Sequence, residues 1–357
     1  MKKQNIAKAF RALAAPFFLH RQRLLIKPEF ISLAVEGTCF FRCKQCDIWK
    51  FKPQRDRMQE KDLKLVIDKL FDWLGPYSVS FAGGETFLNK SLVKVIEHAS
   101  KKGIATYVNT NGYLINEKLA EKIVESGIEG VHVSIDGLGE AHNESRGNPQ
   151  AFERAEKAIK WLLKKRRNNK TKIATTTVLM KANIESLEEM LDWGKRLGLD
   201  AMNFQALWEN FGVVKHKPGW FKKSQLWPDR EKSIKGIKKL MELKRRGAII
   251  GNTYGELQDY LEYFDKDPVK YGAVHPCFVG VKNFSIGLNG DVRLCYHLPP
   301  IGNILKSSPK EIWNNQKAQQ QRQVISQCQR GCKILLCNRK WGFQDILERL
   351  GKKLRLN

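Results

Sequence analysis

Cys39, Cys43 and Cys46 stand in one short stretch, Cys39-Phe40-Phe41-Arg42-Cys43-Lys44-Gln45-Cys46. Thiolates spaced C-x3-C-x2-C on a loop can converge, and three of them can hold one face of a cubane iron–sulfur cluster. Three ligands leave the fourth iron open to an outside molecule. Zinc is a competing occupant. Structural zinc sites pair cysteines as C-x2-C and need a fourth protein ligand. Only Cys43 and Cys46 have that spacing, and His20 is too far upstream to be an obvious fourth. Disulfides belong to secreted chains. The run from Leu13 to Leu19 is short, broken by Pro16 and followed by His20-Arg21-Gln22-Arg23, so it is not read as a signal peptide. The spacing favours iron–sulfur.

A second thiol group holds Cys277, Cys295, Cys328, Cys332 and Cys337. Asn289-Gly290 is a tight-hairpin pair that would bring Cys277 and Cys295 together. The two thiol groups lie roughly 230 residues apart, which fits two metal sites in a reducing cytoplasm.

The elements that position these residues alternate. Strands are expected at Ile31–Val35, Tyr77–Ala82, Ile104–Asn109, Gly130–Ile135, Lys172–Leu179 and Ala201–Ala206. Helical patterns lie between them at Glu60–Leu74, Lys90–Lys101, Asn116–Ser126, Ala151–Lys165 and Ile184–Leu197. This is an α/β chain whose parallel sheet curls into an open barrel. A full eight-unit barrel takes ~250 residues, and about 180 are available here. The cysteine loop follows the first strand, at the end of the strand where such folds place their chemistry.

Other strand ends carry chemistry as well. Gly83-Gly84-Glu85 follows the second strand. Paired glycines let backbone approach a ligand closely, and the carboxylate could meet a cation. The third strand ends in Asn109-Thr110-Asn111-Gly112, which could equally be a plain turn. Ser134 and Asp136 end the fourth strand and suit a hydroxyl-rich ligand. Arg146 follows in His142-Asn143-Glu144-Ser145-Arg146-Gly147, and an arginine can grip a carboxylate through two hydrogen bonds. The bland alternatives are an Arg146 paired with a surface acid and a His142 that caps the loop.

In this order and at these strand ends, the motifs resemble the radical SAM superfamily. Gln45 stands where the family usually has an aromatic residue, and Thr86 where it usually has proline. The resemblance implies a partial (β/α)6 TIM-type barrel and a [4Fe-4S] cluster on Cys39, Cys43 and Cys46. The open iron would chelate S-adenosyl-L-methionine. Gly83, Gly84, Glu85 and Asn111 would serve that cosubstrate, with Glu85 at its α-amino group. Ser134 and Asp136 would contact the ribose and Arg146 the carboxylate. The reaction would be reductive cleavage to a 5′-deoxyadenosyl radical that takes hydrogen from a substrate, with ferredoxin or flavodoxin as reductant. Cys277-x12-Gly290-x4-Cys295 resembles the opening of the SPASM and twitch domains. The full SPASM core is C-x2-C-x5-C, whereas this chain has C-x3-C-x4-C. The implied module is therefore a small, cysteine-rich, twitch-like one with a single auxiliary [4Fe-4S] cluster. Its expected ligands are Cys277, Cys295, Cys332 and Cys337, with Cys328 spare.

The chain divides into a basic amphipathic segment (1–30), the barrel (31–207), an aromatic linker or lid (208–275), the cysteine-rich module (276–345) and a basic tail (346–357). No apolar run approaches the ~20 residues of a spanning helix. The first segment could touch a membrane surface. The net charge of +26 suits an anionic partner such as an acidic peptide. It also raises the alternative of a metal-bearing nucleic-acid-binding protein. That reading leaves the glycine–glutamate motif and the six βα units unexplained.

Overall fold

The computed structural model describes residues 27–51, 57–167, 170–209 and 219–335. The N-terminal segment apart from residues 27–30, Cys337, the tail over 346–357 and part of the aromatic stretch lie outside the described residues.

Strands and helices alternate as the hydrophobic pattern requires. They are β1 (Phe30–Glu36), α1 (Glu60–Leu74), β2 (Ser78–Gly83), α2 (Leu92–Lys101), β3 (Ala105–Thr110), α3 (Glu117–Glu125), β4 (Gly130–Ser134), α4 (Glu140–Arg146), α5 (Ala151–Lys165), β5 (Lys172–Leu179), α6 (Leu187–Leu197) and β6 (Ala201–Ala206). Each strand from β1 to β6 pairs in parallel with the next. This is the six-stranded partial barrel that the sequence leads one to expect. The segment carrying His142 and Arg146 is helix α4. It stops where Gly147 turns left-handed, at φ 62°, a conformation that favours glycine.

Along each strand the two faces differ. Leu33, Val79, Phe81, Val131 and Val133 are fully buried in the core shared with the helices. Leu63, Val66, Ile67 and Leu70 of α1 join the same core. With a period of two, Ser80, Asn109, His132 and Asn203 fall on the other, inner face. There Asn109 donates to Ser80 at 3.3 Å, and Asn203 stands 3.4 Å from His132. A closed parallel sheet would be apolar on both faces; this one has a polar inner wall.

Beyond β6 come α7 (Arg230–Arg245), α8 (Tyr254–Lys266), α9 (Pro268–Val274), α10 (Val279–Lys282), β7 (Asn283–Ile286), β8 (Asp291–Arg293), β9 (Gly302–Asn303), α11 (Pro309–Asn314) and α12 (Gln316–Ser326). β7 lies parallel to β1, with Ser285 opposite Ser32. The β7–β8 turn closes where Gly287 N–H donates to Asp291 C=O at 2.8 Å, with Gly290 left-handed at φ 85°. The sheet therefore runs β6-β5-β4-β3-β2-β1-β7-β8-β9. The cysteine-rich module extends the barrel's own sheet. Its seam is aromatic: buried Trp313 lies 6.3 Å from Trp73 of α1 and 6.1 Å from Phe284 of β7, between ring centroids. The guanidinium of Arg322 covers the Trp313 ring at 4.5 Å. Among the described residues, no helix is long and apolar enough to cross a membrane.

Candidate metal and cofactor centre

Glu36 ends β1 and shapes the turn into the cysteine loop. One carboxylate oxygen accepts from Gly37 N–H at 2.9 Å, Thr38 N–H at 3.1 Å and Thr38 O–H at 2.8 Å. The other takes the Arg57 guanidinium at 2.5 Å. Sequence reasoning missed Glu36; the available signal was an acid directly ahead of Gly37-Thr38-Cys39 at a strand end. Further on, Cys46 N–H donates to Cys43 C=O at 3.2 Å, and Lys44 N–H donates to Ser145 C=O at 2.9 Å. The second bond pins the loop to the end of α4. Phe41 is buried, edge-on to Tyr113 at 5.6 Å.

Burial pushes the Cys39 thiol up to about 11, and Cys43, Glu85 and Cys46 add to the rise. Cys43 and Cys46 are raised too, again chiefly by burial. The three thiols therefore sit close enough to disfavour one another's thiolates. Bound metal would relieve that repulsion, because a coordinated thiol gives up its proton. The donor set is all sulfur, which suits iron–sulfur or zinc. Among the described residues, no three Cys, His, Asp or Glu side chains are grouped tightly enough for a single ion. A cubane asks for less, since each iron takes one thiolate.

Gly83 and Gly84 make their close approach to the chain itself. A Cβ on Gly83 would lie 2.0 Å from Glu36 O, and one on Gly84 would lie 1.9 Å from Thr38 O. Gly84 N–H donates to Glu36 C=O at 2.8 Å, and Glu85 N–H to Thr38 C=O at 2.9 Å. The glycine pair thus clamps the start of the cysteine loop. Glu85 is 1% exposed. Its carboxylate accepts from Thr110 O–H at 2.6 Å, Asn111 N–H at 2.8 Å and Phe87 N–H at 3.1 Å. Burial raises its pKa, and those three hydrogen bonds oppose the rise. Thr86, in place of the proline, donates to Asn109 C=O at 2.9 Å and so helps to join the ends of β2 and β3.

Asp136 is the hub at the end of β4. It receives Gln45 Nε2 at 2.5 Å, Arg146 at 2.7 Å and Val178 N–H at 2.9 Å. Its own N–H donates to His142 Nδ1 at 3.0 Å. Arg146 also reaches Cys43 Sγ at 3.9 Å. Arg146 is thus paired with a buried acid rather than a surface one. Asn183 Nδ2 donates to Asp136 C=O at 2.9 Å and so holds the exit of β5 against this hub. Ser134 is half-buried beside it. Four buried polar atoms here have no partner: Gln45 Oε1, Asn111 Nδ2, His142 Nε2 and Arg146 Nε. One acceptor and three donors left open beside three thiols form a polar cradle. S-adenosylmethionine, with a carboxylate, an amine and hydroxyls, fits that cradle.

In the C-terminal module burial pushes Cys277 up to about 11, with Cys328 and then Cys295 adding to it and Lys333 opposing. Cys295 is raised by burial and likewise by Cys328. Cys328 therefore stands near Cys277 and Cys295. Cys328 Sγ accepts Arg330 N–H at 3.5 Å, and Cys295 Sγ accepts His297 N–H at 3.4 Å. Cys332 acts on the buried Tyr263 phenol. Cys337 lies outside the described residues. The donor set again suits an iron–sulfur cluster.

Comparison with known proteins agrees with this geometry. The radical SAM superfamily pattern matches residues 36–194, and that of the SPASM iron–sulfur cluster-binding domain matches residues 277–338. The chain is 27% identical over 172 residues to the AdoMet-dependent heme synthase of Nitratidesulfovibrio vulgaris, a match covering 48% of this chain and 46% of that protein. Its matches to curated relatives cover between 29% and 63% of their length. Among solved structures it resembles anSMEcpe with bound AdoMet and Cp18Cys peptide, with TM-score 0.62, 21% identity and 81% of each chain covered. It also resembles Streptococcus suis SuiB bound to the precursor peptide SuiA, with TM-score 0.66, 17% identity, and 92% of this chain and 77% of that one covered. At such identities the likeness is one of fold.

Proposed function

From a chain that carries a radical SAM domain followed by a SPASM domain, we propose an enzyme that cleaves S-adenosylmethionine reductively and uses the product to take hydrogen from a substrate. The observation that carries this reading is the cradle of unpartnered Gln45 Oε1, Asn111 Nδ2 and Arg146 Nε beside the three half-buried thiols of one loop. Cys39, Cys43 and Cys46 would hold the [4Fe-4S] cluster. When bound, that cluster supplies one electron to the sulfonium, so that the C5′–S bond breaks into methionine and a 5′-deoxyadenosyl radical.

The protein's share is placement. Arg146 and Asn111 offer donors to the cosubstrate's carboxylate. Glu85 holds the end of β3 against the glycine clamp by accepting from Thr110 and Asn111, and its carboxylate would serve the cosubstrate's amino group. Ser134 offers a hydroxyl to the ribose, and Asp136 fixes Gln45 and Arg146. The polar inner wall around Ser80, Asn109, His132 and Asn203 suits a substrate held by hydrogen bonds. A peptide, as bound in the two fold neighbours, or a small molecule on its way to a cofactor meets that condition. Cys277, Cys295 and Cys328, with Cys332 or Cys337, would hold one auxiliary [4Fe-4S] cluster. A ferredoxin or flavodoxin would supply the electron. The cytoplasm is the compartment that suits these parts, since Cys39, Cys43, Cys46, Cys277, Cys295, Cys328 and Cys332 are all free thiols.

The test is formation of 5′-deoxyadenosine from S-adenosylmethionine by the anaerobically reconstituted protein under strong reductant. Wild type should form it, and the variant with Cys39, Cys43 and Cys46 all replaced by Ala should not. Product from the triple variant would end this reading.

A further inference from the structure

Leu288 sits at the tip of the β7–β8 turn, between Gly287 and Asn289. Turn tips favour glycine, asparagine and other polar residues. Asn289 is exposed, as such a place predicts, but Leu288 is half-buried. Its side chain packs on the corner where β1 turns into the first thiol loop. A Cβ on Gly37 would lie 2.5 Å from Leu288 Cδ1. The carbonyl oxygen of Leu288 accepts Met58 N–H at 2.8 Å. Next to Met58, Arg57 holds the Glu36 carboxylate, which in turn accepts Gly37 N–H and Thr38 N–H.

The corner at residues 36–38 is thus held from two sides. On one side Gly84 N–H and Glu85 N–H donate to Glu36 C=O and Thr38 C=O, at 2.8 and 2.9 Å. Those bonds come from the barrel itself. On the other side stand Arg57, Met58 and Leu288, and Leu288 belongs to the turn that lies between Cys277 and Cys295 in the chain. Cys39 follows the corner directly. Its place relative to Cys43 and Cys46 depends on where the corner points. A cubane takes one thiolate per iron. A small shift of one thiol therefore weakens the grip of all three, which is why such a site needs packed support behind its ligands.

We propose that Leu288 is a positioning residue for the first thiol loop: by packing on Gly37 from the C-terminal module, it sets the place of Cys39 and so how firmly the loop holds its cluster. The inference rests on the reading above that Cys39, Cys43 and Cys46 hold a [4Fe-4S] cluster. Gly37 is the matching half of the contact. A larger residue there meets Leu288, and a smaller residue at 288 leaves the corner without support on that side. Residues in contact give non-additive effects when both are changed.

The experiment is anaerobic loss of iron to a chelator from the reconstituted full chain, followed by absorbance. The phase that is absent from the variant with Cys39, Cys43 and Cys46 replaced by Ala belongs to the first loop. In Leu288→Ala that phase should run about tenfold faster, as loss of a close pairwise contact predicts. The remaining phase should keep its wild-type rate. Leu288→Met should restore most of the wild-type rate, and Leu288→Val, a milder truncation, should fall between. Gly37→Ala should also speed the first-loop phase. Gly37→Ala combined with Leu288→Ala should lose iron more slowly than either alone, because the new methyl group takes space that the leucine left. Equal acceleration of both phases in Leu288→Ala would mean that the turn only stabilises its own module, and would overturn the inference. Leu288→Ala and Leu288→Val at the wild-type rate would overturn it, and so would single and double variants whose effects simply add. Wild type and the triple cysteine variant losing iron in the same phases would overturn the cluster reading itself, and this inference with it.

Discussion

The guanidinium of Arg146 stands 2.7 Å from the carboxylate of Asp136, and the Asp136 side chain has no exposure to solvent. The pair joins the end of β4 to the end of α4. Through Arg146 it reaches the Cys43 sulfur, and through Gln45 it reaches the residue before Cys46. Removing one partner of such a pair strands a buried charge, at a cost of about 3–5 kcal/mol. Asp136→Ala should destabilise the metal-free protein by that amount in urea denaturation. Adding Arg146→Met should recover much of the loss, because no charge is then left unpaired. A single variant within ~0.5 kcal/mol of wild type would show that the pair contributes nothing.

Glu85 accepts three hydrogen bonds and is almost wholly buried. In Glu85→Gln the charge is gone, and one acceptor oxygen becomes a donor that faces another donor. A charge-assisted hydrogen bond is worth about 1.5–3 kcal/mol. Cosubstrate affinity should fall by roughly tenfold or more, with cluster absorbance unchanged. Normal binding by calorimetry would leave Glu85 a purely structural acid.

His142 is fully buried, and burial, helped by Arg146, pushes its pKa down to about 2. An unfolded histidine takes a proton near pH 6.5. Between that pH and about 2 the unfolded chain holds a proton that the folded chain lacks, so stability falls as pH falls. From pH 7 to pH 5 this one group should cost roughly 2 kcal/mol. Urea midpoints of metal-free wild type and His142→Gln, compared at both values, report it. The variant should show a shallower decline, and equal slopes would contradict the assignment.

Reconstituted protein should carry about eight irons per chain, as two [4Fe-4S] clusters require. Replacing Cys39, Cys43 and Cys46 should leave about half of them. Because Cys328 faces Cys277 and Cys295, Cys328→Ala should lower the iron content as far as Cys277→Ala does. It should also loosen the module, since metal binding and local folding are coupled. One zinc and only about four irons in wild type would remove the auxiliary cluster and leave the barrel reading intact.

The sequence by itself determined the six βα units, their order and the presence of thiols, glycines and acids at strand ends. Those features are local. A period of two marks a strand, a period of 3.6 marks a helix, and Gly or Asn punctuates the turns. The ends of β5 and β6 fall where the pattern put them, and α1 spans Glu60–Leu74 as read. Only the tertiary structure decided what these residues do to one another. Gln45 meets Asp136 from 91 positions away, and no local pattern records that meeting. Glu36 is one acid among many until the loop folds over it. Gly83 and Gly84 carry no mark saying that they must pack on residues 36 to 38. The strand beside β1 comes from the far end of the chain: Ser32 meets Ser285 across 253 positions. Cys328 stands with Cys277 because α12 returns the chain to the module's first thiol, and spacing along the sequence cannot encode a return in space.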